Sequence, residues 1–325
     1  MTPAQGVSAG SLGQPGALPP GMATGILAGL AAGAFWGTTF VAPLAAPGFS
    51  SVDYTAGRFV ACGLFSALLM LWQWGRSRRG GAALRRPTGR QVLAAAGLSV
   101  LGYTGYYLLL VLAIADAGAA LPVLIIGTIP LWVMMLGKPA GLRWSSLVPG
   151  LLLTAAGMAL MMRATAADVD VDGARHLVRG VLFGVGAMAS WTVFGLFNAR
   201  WLRRNEAVNS TEWANWLGLA AGVGGWLLWL GAGTPWAELA ERPGLGRFVF
   251  VCTFTGIGSA WVASVLWNVA CRRLSSSLAG QLIVSETVFG LCYAFIWSGQ
   301  WPQPVQWGAS GLFVLGILAS IRAHR

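Results

Sequence analysis

Two ionisable side chains of this 325-residue chain stand inside apolar runs with no ready route to water: Glu286 and Arg58. A charged group at the centre of a bilayer costs ~2.5–3.5 kcal/mol on insertion scales, so it normally faces a cavity or a partner. Glu286 lies mid-way along "QLIVSETVFGLCYAFIW" (281–297), too far from either end for a short carboxylate to reach a headgroup. There it could take up a coupling proton or pair with the amino group of a substrate. The alternative is a neutral carboxyl bonded to a neighbouring helix. Arg58 lies five positions after Asp53, near the end of its run, and its long side chain can snorkel outward. A helix-anchoring or gating ion pair with a carboxylate is expected for it ahead of substrate contact. Asp53 belongs to the same group, and Asp116, in a tight turn on the same side, is a candidate partner.

Aromatic and hydroxyl side chains would complete such a site. Most of the 17 tryptophans are expected to anchor the chain at headgroup depth, among them Trp72, Trp74, Trp144, Trp201, Trp236, Trp297, Trp301 and Trp307. Others sit deeper beside small or polar residues: Trp36, Tyr103, Tyr107, Trp132, Trp191, Trp261 and Trp267. A buried indole or phenol must satisfy its N–H or O–H. A wet cavity is one way, and such rings could stack on an apolar or aromatic substrate. Thr38, Thr39, Thr128, Asn268, Gln281, Ser285 and Thr287 could hydrogen-bond its polar end. Serine and threonine hydroxyls in membrane helices often bond their own backbone instead. Pro130 removes a helix hydrogen bond and should kink or interrupt its run. Carbonyls freed at that depth must be buried in protein or face a cavity, which adds 126–130 as a candidate contact.

No catalytic pattern accompanies these residues. The chain has no H-E-x-x-H, G-x-S-x-G or P-loop motif and no pair of intramembrane aspartates. Its two histidines, His176 and His324, fall in a loop and at the C-terminal end. Cys62, Cys252, Cys271 and Cys292 show no metal-ligand spacing and read as small apolar packing. Neither an enzyme nor an ATP-driven pump is indicated, and no cofactor or metal is expected. A channel is a closer rival, but no selectivity-filter segment is visible. A structural or lipid-translocating role stays open.

The elements that must hold these side chains are ten apolar stretches, at about 22–44, 53–74, 91–114, 118–137, 144–163, 177–199, 211–231, 246–270, 277–298 and 305–322. About 20 apolar residues cross a ~30 Å hydrocarbon core. Hydrophobic residues make up 56% of the chain, charged residues 10%, and mean hydropathy is +0.67, so little is left for a soluble domain. The net charge of +11 is concentrated in alternate gaps: fifteen basic residues lie in one set, from Arg76 to Arg325, and five in the other. That bias predicts both termini in the cytoplasm and makes lipid headgroups, not nucleic acid, the partners of the arginines. Residues 1–21 carry no charge, lack the positive region of a secretory signal, and read as a disordered cytoplasmic tail.

The acidic gap at 164–176 divides the stretches into two sets of five, 22–163 and 177–322, with 323–325 a short cytoplasmic end. An odd number per half means that the second half enters the membrane from the opposite side, the inverted duplication of many secondary transporters. "GLAAGAFWGTTF" (29–40) and "GVGAMASWTVFG" (184–195) share small residues followed by Trp36 or Trp191, and the fourth and ninth stretches also correspond. Glycines at four-residue spacing (Gly25, Gly29, Gly33; Gly180, Gly184; Gly218, Gly222) suit close helix contacts.

Trp36-Gly37-Thr38-Thr39-Phe40, Arg58-Phe59 and Thr128-Ile129-Pro130 resemble the EamA-type half-repeat of the drug/metabolite transporter superfamily. "LWNVACRRLSSSLAGQL" (266–282), "SETVFG" (285–290) and "VPGLLLTAAGMALM" (148–161) are similar to bacterial aromatic amino acid exporters of the YddG type. The resemblance runs from about 22 to 322, with one departure: Glu286-Thr287 replace the proline usual in the ninth stretch. It implies an all-α membrane protein of ten transmembrane helices, two inverted five-helix repeats around a central substrate cavity. It implies a monomeric secondary transporter of the bacterial inner membrane that exports amino acids, aromatic ones included, or other metabolites or drugs by proton-coupled antiport. Its expected partners are a small-molecule substrate and membrane lipids. The expected cavity residues are Trp36, Thr39, Tyr103, Tyr107, Thr128, Pro130, Trp191, Trp267, Ser285 and Glu286.

Overall fold

Backbone N–H and C=O groups at membrane depth must be paired within the chain, which long apolar helices do internally. The computed structural model describes residues 21–80, 87–137, 144–166, 171–205, 208, 210–274, 282, 284–299 and 301–322. Residues 1–20 of the tail expected over 1–21, part of the gap at 167–170, Gln281 and the end at 323–325 lie outside them. Among the described residues the regular structure is helical. The helices are α1 (Met22–Gly37), α2 (Ala42–Ala45), α3 (Ser51–Gly80), α4 (Gly89–Ser99), α5 (Gly105–Ala117), α6 (Ala120–Gly127), α7 (Ile129–Gly137) and α8 (Trp144–Ala166). They continue with α9 (Val171–Arg204), α10 (Ser210–Ala232), α11 (Trp236–Glu241), α12 (Leu245–Phe254), α13 (Ala263–Arg273), α14 (Val284–Ser298) and α15 (Pro304–Arg322).

Helix occupies each of the ten apolar stretches, but five helical runs reach the length and hydropathy of a membrane span: Met22–Phe40, Ser51–Arg76, Gly89–Ala117, Gly173–Leu202 and Leu245–Trp267. The others fall short for visible reasons. The fourth stretch is broken at Thr128 into two short helices, and the seventh is diluted by Glu212 and Asn215. Two of the long runs contain π-helical segments, Val100–Thr104 between α4 and α5 and Thr255–Val262 between α12 and α13. Helix starts and stops follow local chemistry. Thr88 and Gln91 form a capping box at the start of α4. Gly118, at φ +69°, ends α5 and turns the chain at once into α6.

The outside of the bundle is apolar: Leu93, Leu152, Leu182, Phe250 and Ile296 are all exposed. In water that would be a large unsatisfied patch; against lipid it is the expected surface. Trp72, Trp74, Trp236, Trp297, Trp301 and Trp307 are exposed, as headgroup anchors require. Trp201 differs. It stacks on Trp213 with ring centroids 3.5 Å apart, in a small core of its own with Ala95, Leu98 and Phe194.

Lipid is as apolar as leucine, so small residues that let backbones meet decide which helices pair. On α10, Gly222 meets Gly63 of α3 so closely that a Cβ there would lie 2.6 Å from its Cα, and Gly218 lies against Ser66 and Cys62. Gly157 of α8 and Gly316 of α15 pack on each other's helices. Gly33 and Gly37 bring α1 onto α14 at Ser285, Glu286, Phe289 and Gly290, while Gly25 and Gly29 admit Leu274, Leu282 and Ala270. Gly180 and Gly184 seat α9 against Ala117, Ala113 and Ile125. The expected packing role of these glycines is met at each contact. Gly222→Val is expected to cost about 1–3 kcal/mol by overpacking. Gly97→Ala, in open space, is expected to be neutral or mildly stabilising. Thermal unfolding in detergent micelles reads both.

Candidate functional site

The α3 backbone at Arg58 is held from behind, because a Cβ on Gly256 would lie 2.3 Å from the Arg58 carbonyl oxygen. The Arg58 side chain turns inward instead of snorkelling. It is 6% exposed, and its guanidinium carbon lies 4.0 Å from the centre of the Tyr107 ring and 5.4 Å from that of Phe59. A desolvated cation–π contact contributes ~2 kcal/mol, less than the several kcal/mol that burying an ion costs. Nε and Nη1 of Arg58 are buried without a hydrogen-bond partner among the described residues.

The expected carboxylate partners of Arg58 are engaged elsewhere, which corrects the gating-pair expectation. Asp53 accepts hydrogen bonds from the backbone N–H and hydroxyl of Ser50 and from the backbone N–H and hydroxyl of Thr234. It closes the start of α3 and ties it to the end of α10. Asp116 accepts two 2.6 Å bonds from Arg179 and lies 3.3 Å from Nδ1 of His176. That cluster pins the α5–α6 turn to α9. Both aspartates spend their charge at helix ends, where donors from a neighbouring loop or helix reach them first.

Glu286, in the first turn of α14, lies within electrostatic reach of Arg58 and of Tyr106. Among the described residues no carboxylate oxygen lies within 4.0 Å of an Arg58 nitrogen, so no ion pair closes there. Glu286, Ser285, Tyr103 and Tyr106 are deep in the bundle but keep some accessible surface. Ser285 Oγ, beside Gly33 of α1, is buried without a hydrogen-bond partner among the described residues.

From Arg58 an aromatic path runs through Tyr107 and Phe59 to Tyr103, Phe194 and Trp191, each ring within 4–6 Å of the next. Trp36 and Trp267 form a separate pair 5.5 Å apart, one turn along α1 from Gly33. The expected residues Arg58, Tyr103, Tyr107, Trp191, Ser285 and Glu286 thus belong to one connected interior region, with Trp36 and Trp267 adjoining it.

Several expected contacts are already occupied. Thr39 Oγ1 donates to the Trp36 carbonyl, and Thr38 to the Phe35 carbonyl. Thr128 Oγ1 donates to the Ile125 carbonyl and accepts from Trp132 Nε1. The helix break falls at Thr128, with Pro130 in the first turn of α7, where a missing N–H costs least. The side chains of Pro130 and Asn268 lie outside the described residues. Sequence reasoning missed Tyr106, although 103, 106 and 107 share one helix face by their spacing. It also missed Phe194, whose apolar side chain carries no chemical signal of its own.

The Asp53 and Asp116 anchors differ in strength. Asp53→Ala removes four hydrogen bonds to a buried carboxylate and is expected to cost about 2–3 kcal/mol. Arg179→Ala breaks an exposed pair and is expected to lower the unfolding midpoint less than Asp53→Ala does. Unfolding midpoints in detergent compare them directly.

The EamA-like transporter family matches the chain twice, over residues 23–163 and 178–322. The inner membrane protein YtfF of Escherichia coli (strain K12) is 32% identical over 316 residues, covering 93% of this chain and 96% of that protein. A crystal structure 20% identical in sequence superposes with a TM-score of 0.61, over 92% of this chain and 97% of the other.

Proposed function

Because the chain belongs to the EamA-like transporter family, we propose that it is a secondary transporter that exports small amphiphilic metabolites, amino acids and aromatic ones among them. The observation that carries this reading is the interior region itself. A carboxylate and a cation lie within electrostatic reach of one another, unpaired, among aromatic side chains at membrane depth. A substrate with an apolar body and a charged end suits such a lining. The region opens to the cytoplasm, takes up substrate between two five-helix halves, and rocking of the halves closes the inner gate and opens the outer one.

An inverted pairing of the halves has support in the helix contacts. Pairs α3–α10, α8–α15 and α6–α14 join stretches five apart, and α5–α9 is matched by α13–α1. The third stretch of each set contains a π segment. The charge bias supports cytoplasmic termini, and the name of the Escherichia coli relative supports the inner membrane. A C-terminal fluorescent-protein fusion is expected to fluoresce in intact cells and a C-terminal alkaline phosphatase fusion to be inactive. The reverse pattern would overturn the orientation.

Glu286 favours a second reading of the energetics, proton-coupled antiport, with other metabolites or drugs as cargo. Proteoliposome uptake of labelled amino acids, with and without a pH gradient, tests both. Saturable flux of aromatic amino acids is expected, and transport of none removes the substrate assignment. Glu286→Gln is expected to abolish the response to the pH gradient. If wild-type flux ignores the gradient and the variant matches it, proton coupling is excluded. A steady single-channel current in planar bilayers would favour a channel.

A further inference from the structure

The geometry points to Arg58 as the counter-ion of a carboxylate on the transported molecule. This rests on the interior region being the substrate site, and it changes the role of Arg58 from a gating ion pair to a ligand contact. Three observations converge on it. First, the side chain lies inside the bundle: it is 6% exposed and the Tyr107 ring lies 4.0 Å from its guanidinium carbon. Second, Nε and Nη1 are buried and bond to no described residue. Third, the neighbouring acids are accounted for. Asp53 is held by Ser50 and Thr234, Asp116 by Arg179 and His176, and Glu286 stays outside ion-pair distance.

A guanidinium is planar and always charged, with N–H bonds radiating in its plane. With the Tyr107 ring against the guanidinium, Nε and Nη1 remain for another group. The partner that best fits a buried cation with unmet N–H donors is an anion that accepts charge-assisted bonds, and a carboxylate is such an acceptor. Phe59 and Tyr103 stand beside the ring under Arg58 and supply an apolar wall for the rest of the molecule. In an α-amino acid the amine would then be directed to Glu286, within the electrostatic reach of Arg58. The ligand class is a small carboxylate with an apolar or aromatic body.

The test compares matched ligands on the full-length protein purified in detergent. L-phenylalanine, phenylacetate, L-phenylalaninamide and phenethylamine are titrated by calorimetry against the wild type, Arg58→Gln and Arg58→Lys. The wild type is expected to bind the two carboxylates on the order of 10- to 100-fold more tightly than the two compounds lacking one. That preference should vanish in Arg58→Gln and survive in part in Arg58→Lys, which keeps the charge and loses the planar guanidinium. The wild-type comparison stands even if a variant fails to fold. Phenylacetate binding through Arg58 with no binding of phenylalanine keeps the assignment and removes the amino acid reading. Phenylalanine binding that Arg58→Gln leaves unchanged removes the assignment and keeps that reading. Equal binding of carboxylate and amide by the wild type, or no carboxylate bound at all, overturns the assignment.

Discussion

Lipid offers no hydrogen bonds, so the backbone polar groups of this chain at membrane depth are paired within the protein, and the fold follows from that constraint. Helices satisfy the backbone internally, and their outer surfaces stay apolar. Association then depends on contact quality, because lipid offers no hydrophobic reward for burial. Glycine provides the contact: Gly63 against Gly222, Gly157 and Gly316 across α8 and α15, Gly33 and Gly37 against α14. The last of these is also what brings Ser285 and Glu286 next to α1. Packing and site are therefore set by the same residues.

The same constraint sorts the charges. Asp53 and Asp116 lie at helix ends, where hydroxyls, backbone N–H groups or an arginine reach them, and they serve as fasteners between neighbouring helices. Arg58 and Glu286 lie where no such donors or acceptors reach them in full. The structure closes ion pairs at helix ends and leaves a cation and a carboxylate apart in the interior, so the anchoring charges are distinct from the interior ones.

Much of this was legible in the sequence, for identifiable reasons. Apolar run length marks where helices form, and an isolated carboxylate such as Glu286 announces itself by its surroundings. The family resemblance carried by Trp36-Gly37-Thr38-Thr39-Phe40 was right about the family. The direction of Arg58 was not legible, because the Tyr107 ring it meets is remote in the chain. The end of the α3 run allowed snorkelling equally well. Trp201 looked like a headgroup anchor by position, and only the approach of α10 turned it into a stacking partner for Trp213. Hydroxyls such as Thr39 and Thr128 were ambiguous for a local reason, since a carbonyl three residues back competes for each of them.

The π segments at Val100–Thr104 and Thr255–Val262 carry a mechanical meaning. A π turn takes in more residues than an α turn and leaves the cylinder wider and less regular, and such places are where helices bend. Each of the two long runs is thus a rod with one compliant section part-way along its length. A force applied at either end is concentrated there instead of being spread over the whole rod. Gly256, which holds the backbone of Arg58 in place, belongs to one of these sections, and Tyr103 belongs to the other. The parts of the protein best able to give way are built into its innermost lining.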